Sequence, residues 1–169
     1  MFDRDGTLIV DHPYDPDPGH VELVTGAREA VAALRAAGMR VAVVSNQSGI
    51  GRGLLTVEAV KEVNKRADEL LGGLDAWEFC PHVPADGCEC RKPRAALVRR
   101  AAERLGVSPS RCALIGDTGA DVEAALAAGA WPVLVPSAQT RPEEVERAPL
   151  VASDLLGAAG FVIGGPPKP

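Results

Sequence analysis

Apolar positions along this chain of 169 residues recur in two different periods. From Gly26 to Ala37, Ala27, Ala30, Val31 and Leu34 fall on one helical stripe, with Thr25 placed to cap the start and Gly38 to end it. The same reasoning predicts a helix from about Val57 to Leu71 between Thr56 and Gly72-Gly73. Another runs from about Arg94 to Leu105 behind Pro93 and before Gly106, and one near Asp121 to Ala128 stops at Gly129. Between them lie short apolar runs, Val41 to Val44, Ala76 to Phe79, Cys112 to Ile115 and Val133 to Val135, which read as buried strands. Strand and helix in alternation predict the α/β class, a Rossmann-like doubly wound parallel sheet that binds ligands at the carboxyl ends of its strands. Residues 1–163 are expected to form one domain and Gly164 to Pro169 a flexible tail.

Charge and composition narrow the partners. A net charge of -5 argues against a nucleic-acid surface, but a small anion needs only a locally positive pocket. No apolar window approaches the roughly 18 to 20 residues of a membrane span, and no basic-then-apolar leader opens the chain. The expectation is a cytoplasmic monomer acting on a small phosphorylated metabolite, with neither nucleic acid nor membrane as partner.

Polar residues cluster where the strands end. Asp3 and Asp5 follow Met1-Phe2, Ser45-Asn46 follow the Val41 run, Lys92 sits in the loop after Phe79, and Gly116-Asp117 follow Ile115. Alternate residues of a strand share a face, so Asp3 and Asp5 point the same way, and Gly6 lets the chain turn off sharply. A calcium loop needs acids where Met1 and His12 stand, so that reading fails. A lone Asp-x-Asp-Gly is most simply an acidic surface turn. Coincidence with the other strand ends favours a reactive pair instead. For a phosphate monoester, one carboxylate attacks phosphorus while the other protonates the leaving alcohol and then activates water. The accumulated negative charge calls for a divalent cation, and magnesium suits hard oxygen donors.

Asp3-Arg4-Asp5-Gly6-Thr7-Leu8, Ser45-Asn46-Gln47-Ser48-Gly49, Arg91-Lys92-Pro93 and Gly116-Asp117-x-x-x-Asp121 resemble, in order, the four motifs of the haloacid dehalogenase (HAD) phosphatase superfamily. The match is best to its essentially capless, zinc-containing branch, which acts on heptose bisphosphates and histidinol phosphate. The resemblance implies Asp3 as nucleophile and Asp5 as acid/base. It implies Mg²⁺ on Asp3, Asp117 and Asp5 through its backbone carbonyl. Ser45, Asn46 and Lys92 would hold the phosphoryl group, with substrate contacts from Arg91, Gln47, Ser48, Asp11 to Tyr14 and Thr118. Three departures stand out. Only Met1 and Phe2 precede Asp3 where the family has a full apolar strand, so the natural chain is expected to begin further upstream. Ser45 replaces a common Thr, and Ala95-Ala96 replace a Pro-Gly pair, which counts against the heptose substrate. A heptose bisphosphate is nonetheless the expected substrate, histidinol phosphate the runner-up, and a non-catalytic copy of the fold the rival outside the class.

Cys80, His82, Cys88 and Cys90 lie within eleven residues of a Pro- and Gly-rich loop, and four such N/S donors suit tetrahedral Zn²⁺. A zinc-ribbon binding module is the alternative, but it calls for paired Cys-x-x-Cys knuckles and a basic surface. Adjacency to Arg91-Lys92 suggests that zinc aims those cations. Cys112, Trp77 and Trp131 read as core residues and His20 as a loop residue. Gly49-Ile50-Gly51-Arg52-Gly53 reads as a turn, with Arg52 and His12 as lesser candidates for lining the substrate entrance.

Overall fold

The structure is a computed structural model that describes residues 1–165. Four named strands run β1 (Ala42–Asn46), β2 (Ala76–Cys80), β3 (Ala113–Gly116) and β4 (Trp131–Leu134). The helices are α1 (Ala27–Ala36), α2 (Ser48–Gly51), α3 (Val57–Leu71), α4 (Ala96–Arg104), α5 (Gly119–Ala128), α6 (Pro142–Arg147) and α7 (Leu155–Gly164). β1 pairs with β2 and β3 with β4, both in parallel. Residues 1–3 join the two pairs into one sheet. Phe2 bridges Val43 on one side and Ile115 on the other, with Phe2 N–H donating to Ala42 O (2.9 Å) and Asp3 N–H to Ile115 O (2.8 Å). At the far edge Leu134 bridges Val151. The order across the sheet is therefore β2, β1, residues 1–3, β3, β4 and the Val151 bridge.

Both faces of this sheet are covered, which explains the unbroken apolar runs. Phe2, Val41, Val43, Ile115 and Val133 pack with the buried stripes of α1, α3 and α7. Their neighbours Met1, Ala42, Val44 and Leu114 pack with α4 and α5 on the other face. Phe2 is fully buried at the centre, and a side chain of that size contributes about 1.5–3 kcal/mol on burial.

Several boundaries differ from the sequence reading. Gly26, in the left-handed region at φ 83°, caps α1 in place of Thr25. α4 begins at Ala96 rather than Arg94, whose side chain instead binds the Cys88 carbonyl at 2.8 Å. Helices α2, α6 and α7 carry no readable period. α2 is a single turn of Ser-Gly-Ile-Gly, and α6 is nearly all charged, held by Arg141 N–H donating to Glu144 (2.9 Å). α7 is apolar all round and contains three glycines, yet its N-terminus is capped by Asp154, which accepts from Gly157 N–H at 2.7 Å. It runs through Gly164, so that residue is helical rather than tail, and residues 166–169 lie outside the described part. Trp77 and Trp131 pack against the core and Cys112 is buried, as expected.

Between Asp5 and α1 the chain makes a short antiparallel excursion through the Ile9–Leu23 bridge. Among the described residues no separate cap domain covers the carboxyl edge of the sheet, and no helix is long and apolar enough to cross a membrane.

Candidate active site

At the carboxyl edge the central strand stops abruptly. Phe2 completes its ladder to β1, but the next backbone donor, Arg4 N–H, turns to Asp3 Oδ1 (2.7 Å). Val44 O on β1 receives the Lys92 ammonium instead, at 2.8 Å. Lys92 Nζ also donates to Asp121 Oδ1 (2.6 Å) and forms an ion pair with Asp3 Oδ1 (2.8 Å). Asn46 fixes the lysine's own backbone, its Oδ1 accepting from Lys92 N–H and its Nδ2 donating to Lys92 O, both at 3.0 Å. Three segments far apart in sequence thus meet around one cation.

Asp117 lies beside this cluster, almost fully buried. Its oxygens accept from Thr7 Oγ1 (3.3 Å) and Ser137 Oγ (2.7 Å). Gly6 is required here twice over. Its φ is 77°, and a Cβ built on it would overlap the Asp117 carboxylate. Asp121 is held by the Thr118 hydroxyl at 2.6 Å and the Thr118 N–H at 3.1 Å.

The electrostatics follow from burial. Removal from water, reinforced by Asp121, raises the Asp3 carboxyl to about 8 against the pull of Lys92. Burial likewise raises Asp117, opposed by its bond from Ser137. For Lys92 burial disfavours the charge, but Asp121 and Asp3 outweigh it and hold the ammonium above its ordinary pKa. Oxygens of Asp3, Asp117 and Asp121 come within 4.8 Å of one another, facing a single ammonium. Three carboxyl groups facing one lysine leave an acidic excess in a largely buried site. Hard oxygen donors with that excess fit a divalent ion such as Mg²⁺.

Asp5 behaves differently from its partner. Its carboxylate is turned to Arg4 and Gln47 rather than into the acidic cluster, where Asp121 joins Asp3 and Asp117. Gln47, read as a substrate contact, is buried and donates from Nε2 to both Asp5 Oδ2 and Ser45 Oγ, each at 2.7 Å. Asp3, Asp5, Ser45, Asn46, Arg91, Lys92 and Thr118 line one cavity, closed on the far side by α5 and α6. Ser48 opens α2, half-buried, and Arg52 is its exposed C-cap. His12 lines a smaller cavity on the other side of Asp5, with Asp15 and His20. His20 Nδ1 lies 2.8 Å from Asp15 at the surface, a pairing the sequence reading missed.

The cysteine loop joins the same edge. Sulfur atoms of Cys80, Cys88 and Cys90 lie 3.1–3.7 Å apart, and His82 Nδ1 is 3.3 Å from Cys90 and 3.5 Å from Cys80. Burial and the adjoining Cys90 thiol push the Cys80 thiol up to about 12, whereas the Arg91 backbone N–H and the neighbouring thiols lower Cys88. Three sulfurs and one nitrogen converging in this way fit tetrahedral zinc. The loop is tied to the segment after β1, with Gln47 N–H donating to Cys80 O (2.7 Å) and Gly51 N–H to Pro81 O (2.8 Å). Arg91 Nη1 donates to His82 O at 3.3 Å.

A parallel sheet presenting an acidic cluster and a buried lysine at its carboxyl edge defines a class of phosphoryl-transferring α/β hydrolase. Comparison with known proteins agrees. The HAD-hydrolase-like family model matches residues 89–158. The chain is 35% identical to the D-glycero-β-D-manno-heptose-1,7-bisphosphate 7-phosphatase of Pseudomonas putida, across 96% of this chain and 98% of that one. It is 34% identical to the enzyme of that name from Pseudomonas aeruginosa, across 96% of both. A crystal structure of the D,D-heptose 1,7-bisphosphate phosphatase of B. bronchiseptica, complexed with magnesium and phosphate, superimposes with a TM-score of 0.84 at 32% identity, covering 94% of each chain. The chain belongs to the HAD superfamily of phosphohydrolases.

The residues the sequence reading left without a role are Arg4, Asn64, Ser137 and Thr140, together with Asp121, which it quoted only as part of a motif. Asn64 had a signal. It falls on the buried stripe of α3 among Val60, Val63, Ala67 and Leu71, where a polar side chain requires a buried partner. Ser137 and Thr140, which donates to Asp117 O, sit in a loop with no pattern to mark it.

Proposed function

We propose that this protein hydrolyses the 7-phosphate of D-glycero-D-manno-heptose 1,7-bisphosphate through an aspartyl-phosphate intermediate. The observation that carries the reading is end-to-end similarity to phosphatases of that name, combined with an Asp3–Lys92 pair open to a cavity at the sheet edge. An Asp3 oxygen attacks phosphorus as the bond from phosphorus to the sugar oxygen breaks. Asp5 gives its proton to the departing alkoxide, then takes one from the water that attacks the acylphosphate and frees Asp3. Lys92 and the Ser45 hydroxyl hold the phosphoryl oxygens, and Asn46 holds Lys92 in place. Mg²⁺ on Asp3, Asp117 and the Asp5 carbonyl would neutralise charge that otherwise repels a carboxylate nucleophile from a phosphate dianion. Arg91 lines the cavity and is bonded to a carbonyl, leaving its positive charge for the remainder of a bisphosphate. Cys80, His82, Cys88 and Cys90 would hold Zn²⁺, which would fix the loop that carries Arg91 and Lys92.

Phosphate release from the heptose bisphosphate and from histidinol phosphate, with Mg²⁺ supplied, tests the reading. The heptose is expected to turn over faster and Asp3→Asn to abolish turnover with the fold intact. Faster release from histidinol phosphate would reassign the substrate, and no release from either would refute catalysis.

A further inference from the structure

Arg4 lies between the two catalytic candidates, and its side chain is 8% exposed although it carries a full charge. Its guanidinium spans two elements. Nε donates to Asp5 Oδ1 at 3.0 Å, with Nη2 2.9 Å from the same oxygen in an ion pair, while Nη1 donates to Asn64 Oδ1 on α3 at 2.7 Å. The other Asp5 oxygen is met by Gln47 Nε2, which also reaches Ser45. A continuous chain of hydrogen bonds thus runs from α3 through Arg4 and Asp5 to the hydroxyl expected to hold phosphate.

Burying a guanidinium costs several kcal/mol unless its donors are met. A lysine would carry the charge but could not reach Asp5 twice and Asn64 once, because only the planar fork sets those directions. Asn64 is itself nearly buried, and Arg4 satisfies its acceptor. The arrangement fixes one oxygen of Asp5 and leaves the other, reached only by a side-chain amide, for proton exchange. It also links that oxygen to Ser45 through the Gln47 amide.

We propose that Arg4, anchored by Asn64, is a positioning residue that aims Asp5 at the leaving-group oxygen. The inference rests on the phosphatase reading above and adds the residues that make the acid/base step effective. In that step the bond from Asp3 oxygen to phosphorus forms, the bond from phosphorus to the leaving oxygen breaks, and the Asp5 proton passes to that oxygen. An alkoxide cannot leave without the proton, whereas a nitrophenolate can. Loss of aim therefore penalises alkyl esters selectively.

The test compares first-step rates, read as alcohol or phenol released in a single turnover, for the heptose bisphosphate and for p-nitrophenyl phosphate. Arg4→Met keeps the bulk and removes the fork. It is expected to lower the alkyl rate about 100-fold, the scale of general acid catalysis, and the alkyl-to-aryl ratio by at least about tenfold. Arg4→Lys should recover only part of that ratio. Asn64→Ala, a favourable helix residue, should lower the ratio in the same direction by a smaller factor, and it carries the test if Arg4→Met does not fold. Equal loss on both substrates in whichever variant folds would overturn the inference and leave the phosphatase reading standing. An inactive wild-type protein would instead overturn the phosphatase reading itself.

Discussion

Replacing Lys92 by Met removes the one cation that, among the described residues, the acidic cluster holds, and its cost can be worked from the contacts. The ammonium is 2% exposed and meets Asp121, itself 1% exposed, at 2.6 Å, Asp3 at 2.8 Å and Val44 O at 2.8 Å. Breaking a buried ion pair by removing one partner costs about 3–5 kcal/mol. The abandoned Val44 carbonyl adds about 1–3 kcal/mol. Against this, the methionine buries a stem of similar length and offsets about 1–2 kcal/mol. A net loss of about 2–7 kcal/mol is expected at pH 8 without magnesium, a large part of the roughly 5–15 kcal/mol of a typical domain.

The loss should depend on pH with a definite sign. An acid whose folded pKa is raised holds its proton more tightly in the native state, so it supports stability in acid and withdraws it as pH rises. In the metal-free wild type Asp3 makes stability fall between about pH 4 and pH 8. In the variant Asp3 loses the ammonium that opposes its rise and holds its proton more tightly still, so the difference between the two proteins should be smaller at pH 5 than at pH 8. Urea unfolding at pH 5 and pH 8 measures it. A difference below about 1 kcal/mol at pH 8, or one equal at both pH values, would show that Lys92 does not hold this cluster together.

Two further outcomes follow from the geometry. Gly6→Ala places a Cβ against the Asp117 carboxylate and forces a left-handed alanine, a cost of about 1–2 kcal/mol for the backbone alone. Displacing Asp117 should weaken magnesium binding by about tenfold or more, read as the Mg²⁺ concentration that half-maximally raises the melting temperature. Cys88→Ser should cut zinc per chain, measured by elemental analysis, and lower phosphate release by loosening the loop up to Lys92. Cys112→Ser, outside the cluster, should keep the metal; full zinc retention by Cys88→Ser would remove that residue from the ligand set.

The sequence by itself determined the alternation of strand and helix, because two-sided burial of a parallel sheet leaves apolar runs that composition cannot hide. It also placed Asp3, Ser45 and Asp117 at strand ends, since each polar residue interrupts such a run, put Lys92 in the loop after a strand, and gathered Cys80, His82, Cys88 and Cys90 as candidate metal donors by their spacing alone. What it could not supply was orientation. Asp3 and Asp5 share a face on paper, yet the chain leaves the ladder at Arg4, and Asp5 turns to the guanidinium while Asp121 takes its place in the acidic cluster. Asn46 and Gln47 are read from sequence as ligand contacts, and the structure adds that their side chains also hold the Lys92 backbone and the Asp5 carboxylate. Nor could it show α7, where apolar residues on every side erase the period. Periodicity records which residues are buried. Only packing decides which buried polar group answers which, because those partners lie up to 110 residues apart and meet through geometry rather than through any local pattern.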